Sequence, residues 1–219
     1  MSDGSGVRRR WPVVLIACLA IAAVAFAIGR FSAFGAGTPA LPSSDSADAG
    51  FARDMQVHHA QAVDMAMQIY GKTDDDELRT LSYDIATAQS AQRGEMYGWL
   101  VEWGLPQNGG PLMSWMSDAD HAGHDTGSAQ TSDADLRAAM GMATDAELAA
   151  LAAATGTDAD CRFLALMIRH HEGAIPMADA VIERGTQARV KEVAAAMKAG
   201  QLAEIDAMRS IQSRLGCTP

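Results

Sequence analysis

The chain has 219 residues, of which 48% are hydrophobic, 5% are aromatic and 20% are charged, and its formal net charge at pH 7 is −10. A chain of this length forms one sizeable domain or two small ones, and abundant Ala with few aromatic residues is typical of helical proteins. An acidic surface repels the phosphate backbone of nucleic acid. We therefore predict an all-α protein that does not bind DNA or RNA.

The N-terminal segment predicts a membrane anchor. Three basic residues, Arg8, Arg9 and Arg10, precede nineteen uncharged residues at positions 11–29. Such a run is long enough to span a bilayer, and basic residues before it orient the N-terminus to the cytoplasm. Residues 1–34 are thus expected to be a cytoplasmic tip and a transmembrane helix, with the rest of the chain extracytoplasmic at the cell membrane. A cleaved signal peptide and a lipoprotein signal at Cys18 are the alternatives.

The next segments predict a tether and a helical hairpin. Residues 35–49 are small, polar and Pro-containing, as in flexible linkers. Apolar and His residues then recur at the three-and-four spacing of one helix face until a stop at Gly71. Thr73 and the three Asp residues after it are typical of the start of a second helix. Residues 50–104 are therefore the first predicted hairpin.

Residues 105–157 differ in composition and predict a polar connection. Its first part carries four side chains that are able to bind copper: Met113, Met116, His121 and His124. Two more thioethers follow at Met140 and Met142. This tract is either a second, looser copper site or a polar loop without a role in binding. Thr144 and Glu147 form a capping-box pattern, which predicts a short helix after it.

An internal repeat predicts a second hairpin at residues 158–216. The string "MQVHHAQAVDMA" at residues 55–66 returns as "MIRHHEGAIPMA" at residues 167–178, an offset of 112. The following helix repeats more loosely at an offset of 109, where Gln92 and Glu95 match Gln201 and Glu204. Two hairpins with matching apolar faces bury those faces by pairing, so we predict a four-helix bundle.

The bundle also predicts a disulfide. Cys18 falls in the predicted anchor, which leaves Cys161 and Cys217 as the pair in an oxidising compartment. Cys161 starts the third long helix, and Cys217 follows the end of the antiparallel fourth. Both thiols are therefore expected at the same end of the bundle.

The repeated helix face predicts a metal site. Its eight candidate ligands are Met55, His58, His59, Met65, Met167, His170, His171 and Met177. The alternative is that these residues only pack the core. Four buried imidazoles, however, lose their hydration and repel one another when protonated. A bound cation supplies the missing partner.

The ligand types favour copper. Thioether sulfur is soft and selects Cu(I), with Cu(II) as the alternative, whereas zinc more often takes thiolates or a third His with a carboxylate. Di-iron bundles carry Glu-x-x-His, which does not occur in this sequence. Glu95 and Glu204 either accept hydrogen bonds from the imidazoles or face solvent.

The sequence resembles the DUF305 family of exported bacterial proteins across roughly residues 50–215. The resemblance rests on "DMQVHHAQAVDMA", on "FLALMIRHHEGAIPMA", on Met140-Gly141-Met142 before Glu147, and on the two Gln-x-x-Glu pairs. It implies a ferritin-like four-helix fold and, since some members bind copper, copper buffering or resistance outside the cytoplasm.

We therefore expect a membrane-anchored, extracytoplasmic protein that buffers or sequesters copper through Met and His. No nucleophile triad, phosphate loop or pair of catalytic carboxylates can be identified in the sequence, so we do not expect an enzyme. Two alternatives remain. One is a metal-dependent oxidase that uses the same His cluster, and the other is a metal-free helical interaction module.

Overall fold

The computed structural model describes residue 15 and residues 18–26, 40–116 and 132–217. The regular structure of these residues is helical, and no strand occurs among them. From residue 40 onward the helices are α1 Ala47–Tyr70, α2 Asp76–Glu102, the 3-10 helix Ser114–Met116, α3 Asp133–Ala139, α4 Asp145–Ala153, α5 Gly156–Arg184 and α6 Ala188–Leu215. The all-α prediction is confirmed.

The prediction of a membrane anchor, and with it a location in the cell membrane, is wrong: no helix among the described residues is both long and apolar enough to cross a bilayer. Within the predicted anchor, the structure describes a helical stretch at residues 18–26. Apart from residue 15, the remainder of the predicted anchor lies outside the described residues.

Side-chain caps set the starts of the first hairpin's helices. The Ser46 hydroxyl accepts a hydrogen bond from the Ala49 amide at 3.2 Å, so α1 starts three residues before the predicted domain boundary at 50. Asp75 caps α2 by accepting from the Leu78 amide at 2.9 Å. Each cap satisfies an amide that has no partner within its own helix.

The four long helices form a helical bundle from two hairpins. Helix α1 packs along α2, and α5 packs along α6. The hairpins meet chiefly through α1 and α5, and α2 also contacts α6. The two His-bearing helices therefore face each other at the centre of the protein.

The repeat extends over the second helix of each hairpin at the same offset of 112. The buried faces of α2 and α6 match at Leu78/Val190, Ser82/Ala194, Ile85/Met197, Gln89/Gln201, Met96/Met208 and Trp99/Ile211. The predicted offset of 109 is wrong, because the second helices start at Asp76 and Ala188, which are also 112 residues apart. Glu204 is therefore equivalent to Gln92, and not to Glu95.

The apolar core is divided into two clusters at opposite ends of the bundle. One contains the start of α1, the end of α2, the end of α5 and the start of α6, and includes Phe51, Trp99 and Val181. The other contains the opposite ends of these helices and includes Ile69 and Phe163. Helices α1 and α5 therefore run antiparallel, and the middle of each lies between the clusters.

The connection between the hairpins folds onto the bundle in its described parts. Trp115 is buried, and its indole N–H donates to the Asp54 carboxylate at 2.9 Å. The structure also contains the Cys161–Cys217 disulfide, with 5.4 Å between the two Cα atoms. A cross-link over 56 residues stabilises a fold by about 4 kcal/mol in the chain-entropy model.

Candidate metal centre

A layer of polar side chains lies between the two apolar clusters. Its centre is formed by His58 and His59 on α1 and by His170 and His171 on α5, and none of the four has exposed surface. The two repeats meet where the rings of His58 and His170 lie against each other, with their centroids 3.6 Å apart. The fold thus brings together the four histidines of the predicted site.

Two of the imidazoles donate to backbone carbonyls. The Nε2 of His58 lies 3.0 Å from the carbonyl oxygen of Met140, and the Nε2 of His170 lies 3.1 Å from that of His58. A carbonyl oxygen can only accept a hydrogen bond. Nε2 is therefore protonated in both rings, which leaves the lone pair on Nδ1 when the ring is neutral.

The other two imidazoles donate to side chains of the partner helix in each hairpin. The Nε2 of His59 lies 2.7 Å from Oε1 of Gln92, and the Nε2 of His171 lies 2.6 Å from Oε2 of Glu204. Glu204 thus accepts from an imidazole, one of the two roles considered for it, whereas Glu95 pairs with Arg189 on the surface. The same Nε2–H arrangement holds in all four rings.

The Nδ1 atoms of His58, His59, His170 and His171 are buried without a hydrogen-bond partner. A buried polar atom without a partner costs free energy on the order of 1–3 kcal/mol, so native proteins normally satisfy it. An imidazole whose N–H is held by a fixed acceptor while its other nitrogen is free has the form of a metal ligand. Each of the four rings therefore carries a buried Nδ1 atom that is able to act as a ligand.

The protonation state of the layer also suits metal binding. Burial lowers the pKa of His58 to about 4, against the opposing effect of the Met140 carbonyl. Burial, reinforced by the other imidazoles, holds the pKa values of His59 and His170 well below the ordinary 6.5. These rings are neutral at pH 7, so a metal ion need not displace protons from them.

The four predicted thioether ligands are fully buried on both sides of the imidazoles. Met55 and Met177 belong to one apolar cluster, and Met65 and Met167 belong to the other. Among the described residues, no three His, Cys, Asp or Glu side chains are arranged to hold a metal ion. The candidate donors in and beside the layer are the imidazoles and the thioethers.

The Met140–Met142 segment covers the imidazole layer. Gly141 has a φ of +71°, and a Cβ there would overlap the carbonyl oxygen of Arg169. A Cβ on Gly173 would likewise overlap the carbonyl oxygen of Met140. The two glycines allow the backbone of this segment to touch α5, which places the Met140 carbonyl against His58.

Polar contacts from α1 and α5 hold the residues that directly follow the Met140–Met142 segment. Gln61 on α1 accepts from the Ala143 amide at 2.6 Å and donates to its carbonyl at 2.9 Å. Arg169 on α5 donates to both carboxylate oxygens of Glu147, each at 2.7 Å, and this lowers the pKa of Glu147 to about 2. The predicted capping box at Thr144 is present. Met140 and Met142 are buried in the cluster that also contains Met55 and Met177.

The remaining predicted ligands stand apart from the layer. Met113 and Met116 are partly buried against the first apolar cluster, and the Met113 amide donates to Asp54. His121 and His124 lie outside the described residues. The secondary copper site predicted at these four residues therefore stays a prediction.

Two functional candidates were missed by sequence reasoning. Gln89 and Gln201 occupy equivalent positions, are 3% and 4% exposed, and have amide atoms without a hydrogen-bond partner. Each lies one helical turn before the residue that accepts from His59 or His171. Their signal in the sequence was a Gln pair at the repeat offset of 112. The polar layer thus extends beyond the four histidines.

Comparison with known proteins agrees with this architecture. The family model "Domain of unknown function (DUF305)" matches residues 48–212. A DUF305 structure from Streptomyces coelicolor is 41% identical and superposes with a TM-score of 0.69, over 80% of this chain and 98% of that one. A DUF305 fragment from Deinococcus radiodurans is 29% identical with a TM-score of 0.62, over 81% and 99%.

The structure of CopM in its Cu(II)-bound form is 27% identical, with a TM-score of 0.56 over 77% of this chain and 97% of that one, and a Cu(I)-bound form of CopM is 25% identical. No curated protein sequence matches the chain. Because the family model spans most of the sequence, the chain belongs to the DUF305 family.

Proposed function

We propose that this protein binds copper in its imidazole layer and thereby buffers or sequesters the ion. The observation that carries the proposal is the set of four buried imidazoles whose Nε2 atoms are held by acceptors while their Nδ1 atoms have no partner. The ligands would be these Nδ1 atoms together with thioethers of Met55, Met65, Met167 and Met177. CopM, which adopts this fold, has been crystallised with Cu(I) and with Cu(II).

The donor set favours Cu(I) over other ions. Thioethers are soft ligands, and neutral imidazoles add no charge to the site. Glu204 supplies one nearby, partly buried carboxylate, whose single charge balances that of a monovalent cation. Cu(II) is a second state for the same imidazoles, and zinc would gain little from the thioethers.

Binding is a better match for this geometry than catalysis. The four imidazoles have no exposed surface, and the Met140–Met142 segment lies against them. An oxidase needs an open coordination position that substrate can reach. A holder of copper needs the opposite, because enclosure limits reaction of the ion with oxygen and reductants. The disulfide is typical of proteins in an oxidising compartment.

A Cu(I) competition titration tests the proposal with variants that preserve the hydrogen bonds. In His58→Gln, His59→Gln, His170→Gln and His171→Gln, the glutamine amide can replace the Nε2–H donor, but the Nδ1 lone pair is lost. The four changes combined should abolish tight binding while circular dichroism remains helical. Equal affinity in wild type and the quadruple variant would refute the proposal, and oxygen consumption with added substrates would instead favour an oxidase.

A further inference from the structure

The imidazole layer has two halves, His58 with His59 on α1 and His170 with His171 on α5. The residues that hold these halves differ in charge at equivalent positions. The acceptor for His59 is the neutral amide of Gln92, whereas the acceptor for His171 is the carboxylate of Glu204. These acceptors are 112 residues apart, as are the histidines that they hold. The two repeats therefore share one hydrogen-bond geometry, but the acceptor is neutral in the first repeat and negatively charged in the second.

A second charge increases the difference. Arg93 follows Gln92 on α2, and its guanidinium Nε is buried without a hydrogen-bond partner. The equivalent position on α6 is Ile205, which is buried and apolar. A cation near His59 thus meets a guanidinium, and a cation near His171 meets a carboxylate. Arg93 and Glu204 are both partly buried, so solvent screens this opposition less than it would at an exposed surface.

The carboxylate also acts through the imidazole that it holds. A carboxylate that accepts the N–H of a ligand imidazole increases electron density on the other nitrogen, and such partners typically change metal affinity 10- to 100-fold. The amide of Gln92 fixes ring orientation as well but carries no charge. The rings of His59 and His171 are therefore oriented in the same way, but the Nδ1 atom of His171 is the stronger electron donor.

We propose that Glu204 is a positioning residue that determines which half of the layer binds copper first. Copper then binds first at His170 and His171 and only later at His58 and His59. The inference rests on the proposed copper binding and adds its sequence of loading. A fixed negative charge stabilises Cu(II) more than Cu(I). Glu204 therefore also lowers the reduction potential of copper in its half of the site.

The matched variants are Glu204→Gln and Gln92→Glu. The first removes the charge, keeps an oxygen acceptor and makes the two halves alike at this position, and the second gives the other half a carboxylate. The full chain is titrated with Cu(I) against a chromophoric chelator, and histidine NMR signals are followed at substoichiometric Cu(I), which is diamagnetic. The Cu(II)/Cu(I) potential is measured on the loaded proteins.

In the wild type, signals of His170 and His171 should shift before those of His58 and His59. Glu204→Gln should weaken the first Cu(I) affinity 10- to 100-fold and raise the potential. If Cu(II) is weakened ten times more than Cu(I), the rise is about 59 mV for a one-electron couple. Glu204→Asp should restore part of both changes, and Gln92→Glu should tighten binding and lower the potential.

Unchanged affinity and potential in Glu204→Gln, or simultaneous shifts of all four histidines, would overturn the inference and leave copper binding intact. No copper uptake by the wild type would instead remove the proposed function itself. If Glu204→Gln loses its helical circular dichroism, Gln92→Glu decides, because misfolding cannot produce a gain in affinity. An unchanged affinity in Gln92→Glu would then count against the inference.

Discussion

The ring of His170 lies against the ring of His58, with 3.6 Å between centroids, and its Nε2 donates to the carbonyl oxygen of His58. This contact joins the two repeats at the centre of the bundle. It requires neutral rings, because two protonated imidazoles at this distance would repel inside a core with little water. The stability of the metal-free protein should therefore depend on pH.

The metal-free protein should lose stability between pH 6.5 and pH 4. The unfolded chain takes up protons on its histidines near pH 6.5, while the pKa of folded His58 is about 4 and those of His59 and His170 are also depressed. The unfolded state then binds more protons, so the free energy of unfolding falls by up to about 1.4 kcal/mol per pH unit for each imidazole. Urea titrations from pH 7.5 to pH 4 measure this slope.

His58→Gln is the control for this prediction, because it removes one histidine whose pKa is lowered in the folded state. The free energy of unfolding should then depend less on pH between pH 6.5 and pH 4. Glu147, whose pKa is lowered from 4.5 to about 2, contributes its loss of stability mainly below pH 4.5. A free energy of unfolding that stays constant from pH 7 to pH 4.5 would show that the imidazoles are not buried as neutral rings.

Replacing Met55 and Met177 by Leu should weaken Cu(I) binding more than Cu(II) binding. Leu fills the same volume at a cost below about 1.5 kcal/mol per site, but it lacks the soft sulfur that Cu(I) prefers. We expect a loss of Cu(I) affinity of about tenfold or more, with Cu(II) affinity changed less. Competition titrations with chelators specific for each oxidation state measure both.

Met96 and Met208 provide the matched control for these substitutions. Both are fully buried and occupy equivalent positions on α2 and α6 rather than on the His-bearing helices. Met96 belongs to the cluster of Met55 and Met177, and Met208 belongs to the other cluster. Leu at these two positions should leave Cu(I) affinity unchanged. Equal losses in the two double variants would mean that packing, and not sulfur, is responsible.

The sequence predicted the histidine layer because helical spacing alone places His58, Met55 and Ala62 on one face. It also predicted the Cys161–Cys217 pairing, since an antiparallel fourth helix returns the chain to the start of the third. Each inference needed only helix periodicity and the repeat, and both of these are local properties of the chain.

The acceptors of the imidazoles could not be predicted in the same way. Gln92 and Glu204 each follow their partner histidine by 33 residues, whereas sequence matching at an offset of 109 aligned Glu204 with Glu95. The Met140 carbonyl reaches His58 because Gly141 and Gly173 allow the backbones to touch. Main-chain contacts between distant segments leave little trace in side-chain patterns.

Alanine at Gly141 should destabilise the protein and loosen the cover of the site. The residue has a φ of +71°, and a Cβ would overlap the Arg169 carbonyl, so the backbone must shift. We expect a loss of about 2–4 kcal/mol in the free energy of unfolding and faster release of bound copper to a chelator. Chemical denaturation and stopped-flow transfer measure the two effects.

Gly94 supplies the control for Gly141, because it lies within α2 and a Cβ there would have open space. Gly94→Ala should raise the free energy of unfolding by up to about 1 kcal/mol through helix propensity, without changing copper release. If Gly141→Ala behaves like Gly94→Ala, the close approach of the Met140–Met142 segment to α5 has no energetic importance.

Removing the disulfide should reduce stability without changing copper affinity. Cys161 lies nine residues before His170 on α5, about 14 Å along the helix axis, so neither sulfur is placed to bind copper with the imidazoles. The double variant Cys161→Ser, Cys217→Ser should lose about 2–4 kcal/mol in the free energy of unfolding. Its Cu(I) affinity below the unfolding transition should equal that of the wild type. A loss of affinity in the folded double variant would place these cysteines in the copper site and require a different ligand set.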